Sequence, residues 1–320
     1  MDVMAIKKVF GIFIFCIISI PLSAADRKGY PMDVSAEGVQ KIVFDVQEGN
    51  FVLRGDRNTK EIHIMASIDR MWIFKLGEQD ILKRLIKISG EGTSEVTVRT
   101  DIPRGISSFG RAEYPIDFEI VAPDHARLEL RDTSGTIQIT DMQGDVAIQD
   151  GSGTVALRHL NGRVTLNKQS GDVKISDILG TVTIERETGQ MDIRRTGPLE
   201  IRDANGNLTI ADAASASVRS RGGNLRVSDV KGNLEVDNQS GEIVIKRIGG
   251  SVDVQDTSGQ IRAEDTGPLS IRDTSGDITV RRAASLHVLE KESGQIAAGG
   301  ITGLIQIPPG FKLKQVKGNP

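Results

Sequence analysis

The 320-residue sequence contains one cysteine, one tryptophan and two tyrosines. The cysteine is Cys16, near the start, so residues 26–320 have no disulfide, no thiol nucleophile and no cysteine metal ligand. Aromatic side chains are missing from the long middle of the chain: none lies between Phe118 and Phe311. That removes from the middle the flat apolar faces that line most small-ligand pockets. A small-ligand site would sit better at the MWIF stretch (71–74), where the plainer reading is core or cap packing. No sign of charge dominates either. Without Asp2, Lys7 and Lys8, the totals of 40 basic and 43 acidic residues become 38 and 42. So balanced a chain offers no electrostatic footing for nucleic acid, whose binding leans on concentrated positive charge.

Long apolar runs are scarce as well. The one candidate, Val9–Ile20, is about twelve residues, short of the roughly 20 that a spanning helix needs. It follows Lys7 and Lys8 and precedes Pro21, Ser23 and Ala25, the layout of a secretory signal peptide cleaved before Asp26. Phe15 stands before Cys16, where a lipoprotein would carry a small residue. The expectation is an extracytoplasmic protein, in the periplasm, in the cell envelope or secreted, with no transmembrane span once the leader is removed.

What the sequence has in quantity is rhythm. A glycine opens each unit of the form G-x-apolar-x-apolar, at 135, 144, 153, 162, 171, 180, 189, 197 and 206, and again from 223 to 303. Ala126, Ala214 and Ala284 fill equivalent places, and the step is mostly nine residues. Within units, pairs such as Ile137 and Ile139 or Val173 and Ile175 alternate at period two, which puts both on one face of a short strand. Helix is excluded, since a glycine every nine residues would interrupt each attempt. One such strand cannot bury its face alone, but stacked copies can. The fold class is therefore all-β, a parallel β-solenoid.

Two residues before the glycine, Met142, Leu160 and Ile178 alternate with Thr133, Gly151 and Gln169. Two unlike corners per circuit predict a coil of about 18 residues, built from paired nine-residue units that stack as one repeat. A slower repeat lies above this one: NKQSGDVKI (167–175) returns as DNQSGEIVI (237–245), and TGPLEIRD (196–203) as TGPLSIRD (266–273). The predicted organisation is a signal peptide at 1–25, an irregular β-rich N-terminal cap at 26–120, regular repeats at 121–307 and a C-terminal cap at 308–320. Within the N-terminal cap, ILKRLIKIS (81–89) reads as strand or short helix, and IDFEIVAPDHARLEL (116–130) feeds the first regular coil. In the C-terminal cap, Pro308 and Pro309 end the ladder, with Phe311 as a plug.

Asp132, Asp141, Asp150, Asp177, Asp203, Asp229, Asp256 and Asp273 each stand three places before a glycine. They read as Asx-turn residues bonding a nearby amide. The sharper alternative is a calcium ladder, but the G-G-x-G-x-D turn that supplies calcium's many oxygens is absent. Arg131, Arg202 and Arg272 precede three of these acids and read as local shields of the acid row or as covers of apolar edge through their methylene stems. His63, His125, His159 and His287 are too dispersed for a triad or a metal set. No catalytic, cofactor-binding or metal residue is assigned, and no cofactor.

The leader, the β-rich lead-in, the IVAP segment (120–123) and the serial SGxφxφ strands together resemble the putative-adhesin family of bacterial extracytoplasmic β-strand-repeat proteins, a domain of unknown function. The resemblance implies a β-helical fold and a cell-envelope location, and supplies no catalytic motif. The expected function is a non-enzymatic structural or interaction module with an envelope protein or a surface polysaccharide as partner. The alternatives are a specific glycan-binding adhesin and a polysaccharide-active β-helix enzyme, the last disfavoured because no insertions build a cleft.

Overall fold

A computed structural model describes residues 29–68, 78–101 and 115–316. The expected leader, the MWIF stretch and residues 103–114 lie outside the described residues. The chain forms a β-solenoid of about ten turns, with the spacing of about 18 residues that the nine-residue units predict. Residues 164–170 pair in parallel with 146–150 on one side and 182–188 on the other. Residues 173–178 do the same with 155–160 and 191–196. Each coil thus has two strands, one on each face of a flattened tube. Where the sequence steps by eight, the coil shortens to match, and Leu208 pairs with Leu225 and Ile210 with Val227. The slower repeat is visible as two unbroken 39-residue extended stretches, Val182–Ser220 and Val252–Glu290.

Inward side chains stack into one aliphatic column. Val155, Val173, Leu208, Ile243 and Ile261 are at most 3% exposed. Each contributes about 2 kcal/mol as its surface leaves water, an upper figure because unfolded chains are themselves partly compact.

The two corners differ as the sequence predicts, but glycine's part in them is divided. After the first strand, Gly135, Gly153, Gly171, Gly241 and Gly259 take φ between 99° and 143°, a region closed to side chains. They also stack: a Cβ on Gly153 would overlap the carbonyl of Gly135. After the second strand the left-handed residue is not the glycine. Asp141, His159, Asp177, Arg195, Asp229 and Arg247 take φ of 51–61° there. The glycine two or three residues later is needed for space alone, since a Cβ on Gly162 would strike the backbone of Gly144. This second corner tucks in Met142, Leu160, Ile178, Val230 and Ile248, all at most 3% exposed.

Residues 30–126 do not stack in chain order. The elements are β1 (Tyr30–Ser35), β2 (Lys41–Asp45), β3 (Phe51–Asp56), β4 (Glu61–Ile68), α1 (Glu78–Leu85), β5 (Ile86–Ser89), β6 (Glu95–Thr100), β7 (Ile116–Pro123) and β8 (Arg127–Thr140). The coil of β2 and β3 lies between β6 and β7 on one side and β8 on the other. Ile42 pairs with Val96 and Leu128, and Phe51 with Phe118 and Ile137. Residues 116–130 therefore do not run smoothly into the first regular coil: β7 and β8 sit on opposite sides of β3. Phe44 and Phe51 meet edge to face there, 5.0 Å between centroids. Antiparallel strands then close the tube, β4 on β7, β1 on β4 and β5 on β6. The ambiguous segment 81–89 is both things in turn, the end of α1 and then β5, with Leu82 fully buried beneath. At the far end Pro308 and Pro309 do not end the ladder, because residues 313–315 pair in parallel with 296–298 beyond them, and Phe311 between packs partly buried against the core.

Candidate functional site

The eight aspartates form two rows, not one. Asp141, Asp177 and Asp229 lie on the second corner, where they are themselves the left-handed residues. There they pair with the next coil: Asp177 with Arg195 at 2.5 Å and Asp229 with Arg247 at 2.6 Å, followed by Asp265 with Arg282 at 2.5 Å. The Arg195 guanidinium holds the Asp177 carboxyl down at about 2, and Arg247 and Arg282 lower Asp229 and Asp265. Asp132, Asp150, Asp203, Asp256 and Asp273 instead point into the first corner and are at most 7% exposed.

This buried row contains cations that the sequence reading missed. Lys168, Arg186 and Lys291 occupy the same place in their coils and are 1%, 4% and 7% exposed. Lys168 bonds Asp150, Arg186 grips Asp203 through two nitrogens, and Lys291 donates to Asp273 and to the Gly276 carbonyl. Asn238 donates to Asp256 at 3.1 Å. Asp132 has no cation in the adjoining coil, since its neighbour in register is Asp150. Burial, and then the Asp150 charge, push the Asp132 carboxyl up to about 7. Asp256 also rises to about 7, again mainly by burial. The signal was in the sequence, three places before alternate glycines, where Lys168 and Arg186 replace the expected acid.

The Asx reading fits part of the buried row, where the backbone amides of Ser134, Ser152 and Ser258, two residues on, favour the ionised forms of Asp132, Asp150 and Asp256. A different pattern holds outside the eight aspartates. Carboxylates and amides just before a strand accept from the backbone one coil on: Asp145 from Arg163, Asn233 from Ser251 and Asp277 from Gln295, at 2.8–3.0 Å. Arg202 and Arg272 do not shield the acid row. Arg202 bridges Glu185 and Glu200, and Arg272 reaches Asp253. Arg131 is exposed on the same face.

Three histidines lie beside carboxylates. His159 is 3.2 Å from Asp141, and His125 is 3.9 Å from Asp124. His63 faces Asp33 across the β1–β4 pair at 2.7 Å, with Glu61 3.8 Å away. Asp33, Glu61 and His63 could together offer a metal three ligand atoms, but all three are exposed. Strand spacing alone could not reveal this cluster, because it depends on the antiparallel pairing of the cap. His287 stands apart on the first-strand face.

A groove of about 550 Å³ opens at the first corner, lined by Lys168, Arg186, Asp203, Arg219, Ser220 and Arg221. Ser220, half-buried there, is the smallest side chain at this place in the coils. Glu185, Glu187 and Asp237 also line it, so it favours neither sign of charge.

A comparison against protein families finds a match over the regular coils. Residues 176–299 match the Toastrack DUF4097 family. Toastrack is a β-helix fold, and the matched stretch runs over the regular coils described above. It is a domain of unknown function, in line with the resemblance read from the sequence. Similar solved structures include a putative lipid binding protein from Parabacteroides distasonis, 16% identical over 91% of this chain and 98% of that chain, TM-score 0.35. A putative adhesin from the same organism is 12% identical over the same shares, with TM-score 0.32. A putative cell adhesion protein from Clostridium sporogenes is 12% identical over 66% of this chain and 100% of that chain, TM-score 0.31. At these scores the likenesses carry no weight for function. No curated protein matches the chain. Among the described residues no helix is long and apolar enough to cross a membrane.

Proposed function

We propose that the protein is a non-enzymatic structural or interaction module of the cell envelope, presenting long flat faces to a protein or polysaccharide partner. The observation that supports this is the uninterrupted stacking of coils from Arg127 to Gln315. Successive coils are joined by corners of a few residues, so no loops rise to wall a cleft. Catalysis needs groups converging within hydrogen-bond reach of one reacting atom. The buried carboxylates here converge on one another and on Lys168, Arg186 and Lys291, and although Lys168, Arg186 and Asp203 border the first-corner groove, each is closed in an ion pair with its side chain fully buried.

Fractionation of cells expressing the full chain, with N-terminal sequencing and a polysaccharide turnover panel, tests the reading. It expects the protein outside the cytoplasm, beginning at Asp26, and no product from the panel. A cytoplasmic protein that still carries the segment before Asp26, or turnover abolished by changing one carboxylate, overturns it.

A further inference from the structure

The two flat faces differ in charge in a way the balanced total conceals. On the second-strand face, between Val155 and Gly299, the position just before each strand's buried pair carries Asp172, Gln190, Asn207, Asn224, Glu242, Gln260, Asp277 or Gln295, and the outward positions are the two that lie between and just after that pair. Every exposed one is lysine or arginine, and the six at the centre are Lys174, Arg194, Arg226, Lys246, Arg262 and Arg281. The acids among these outward positions, Asp192 and Glu264, are only half exposed. The first-strand face of the same coils instead mixes Glu185, Glu200, Glu235 and Asp253 with Arg202 and Arg219.

The acids on the basic face do not neutralise it. Asp192 is closed on Arg194 and Glu264 on Lys246, but Glu242, at the edge of the face, is shared by Arg226 and Arg262, and Lys174 and Arg281 have no ion pair among the described residues. One acid for two cations leaves positive charge over. Successive coils are about 4.8 Å apart, so the cations form a zigzag strip along the tube axis, interrupted only at the coil of Thr209 and Ala211. The strip is narrow. On one flank Arg195, Arg247 and Arg282 are closed on Asp177, Asp229 and Asp265. On the other stand Asp172, Glu242 and Asp277.

We infer that this face binds a linear acidic polysaccharide laid along the solenoid axis, its carboxylate or sulfate groups meeting the strip. The inference rests on the interaction-module reading and gives that module its face and its ligand chemistry. A chain fits better than an anionic bilayer for two reasons. The acidic flank would lie against a planar surface and repel it. The outward positions between Val155 and Gly299 also hold no aromatic and no exposed aliphatic residue of the sort that anchors proteins at a membrane surface. No aromatic platform is needed, because recognition is by charge spacing and not by stacking on sugar rings. This accommodates the aromatic-free middle of the chain.

The test measures binding of the full chain to polygalacturonate, dextran sulfate, neutral dextran and phosphatidylglycerol vesicles. Three proteins are compared: wild type, K174Q/R226Q/R262Q/R281Q, and the opposite-face variant R131Q/R202Q/R219Q/R272Q, which removes the same charge. Expected is binding to at least one of the two polyanions, weakening as salt rises, with none to dextran. The strip variant should lose about tenfold or more in affinity, and the opposite-face variant less than about twofold. The polyanion preferred tells carboxylate from sulfate. All substituted residues face outward, so thermal midpoints should be alike. Equal losses in both variants, no binding to either polyanion, or tighter strip-dependent binding to vesicles overturns the inference. Polysaccharide turnover would sink the module reading itself, whereas a silent strip on a protein exported and inactive as described sinks only this ligand.

Discussion

Replacing Asp132 by asparagine should stabilise the protein above about pH 7 and leave it nearly unchanged near pH 4. Asp132 is buried in the first corner beside Asp150 without a cation of its own, and its carboxyl titrates at about 7 instead of 3.8. An acid whose pKa is raised by folding favours the fold while both states are protonated, below about 4. That advantage is lost as pH climbs towards 7, because the unfolded chain ionises first. The shift spans roughly three pH units, and at about 1.4 kcal/mol per unit it is worth about 4 kcal/mol if undiminished. Solvent near the corner screens part of this, so about 2 kcal/mol is expected. Asparagine keeps the shape and cannot ionise. Urea unfolding of both proteins at about pH 4, 6 and 8, followed by circular dichroism, should show the midpoints diverging with pH in favour of the variant. A variant that is less stable by the same amount at every pH would show that the carboxylate serves the fold through its contacts, and the reasoning would fail.

Gly153→Ala should cost about 3 kcal/mol or more, since it combines a φ of 107° with overlap onto the Gly135 carbonyl. Gly38→Ala, at φ 74° with open space around it, should cost about 1 kcal/mol, and thermal midpoints will separate the two. Lys168→Met, which strands Asp150 inside the tube, should destabilise by about 3–5 kcal/mol. Lys168→Met with Asp150→Leu should recover most of that in the same unfolding assay. Removing residues 305–320 exposes the last ladder, and light scattering should show self-association that the full chain lacks.

The nine-residue step, the alternating apolar pairs and the alternation of Met142, Leu160 and Ile178 with polar residues carried most of the fold. They are local patterns that every coil repeats, and stacking like on like is the one arrangement that buries them all. The cap was less legible. Ile42 meets Leu128 across several intervening elements, some of which turn back antiparallel; no period in 30–126 announces either. The basic strip was hidden for a related reason. Lys174, Arg194 and Arg226 look like scattered surface charge until coil registration sets them on one face.

By itself, then, the sequence determined the unit: strand length, coil length, two unlike corners and an aliphatic interior, because side-chain alternation and glycine spacing act over a few residues. Tertiary structure alone decided which polar residues turn inward, which aspartates meet arginine and which meet another acid, and how the first coils interleave. Those outcomes depend on what lies in the next coil, a full circuit away along the chain but only about 5 Å away in space.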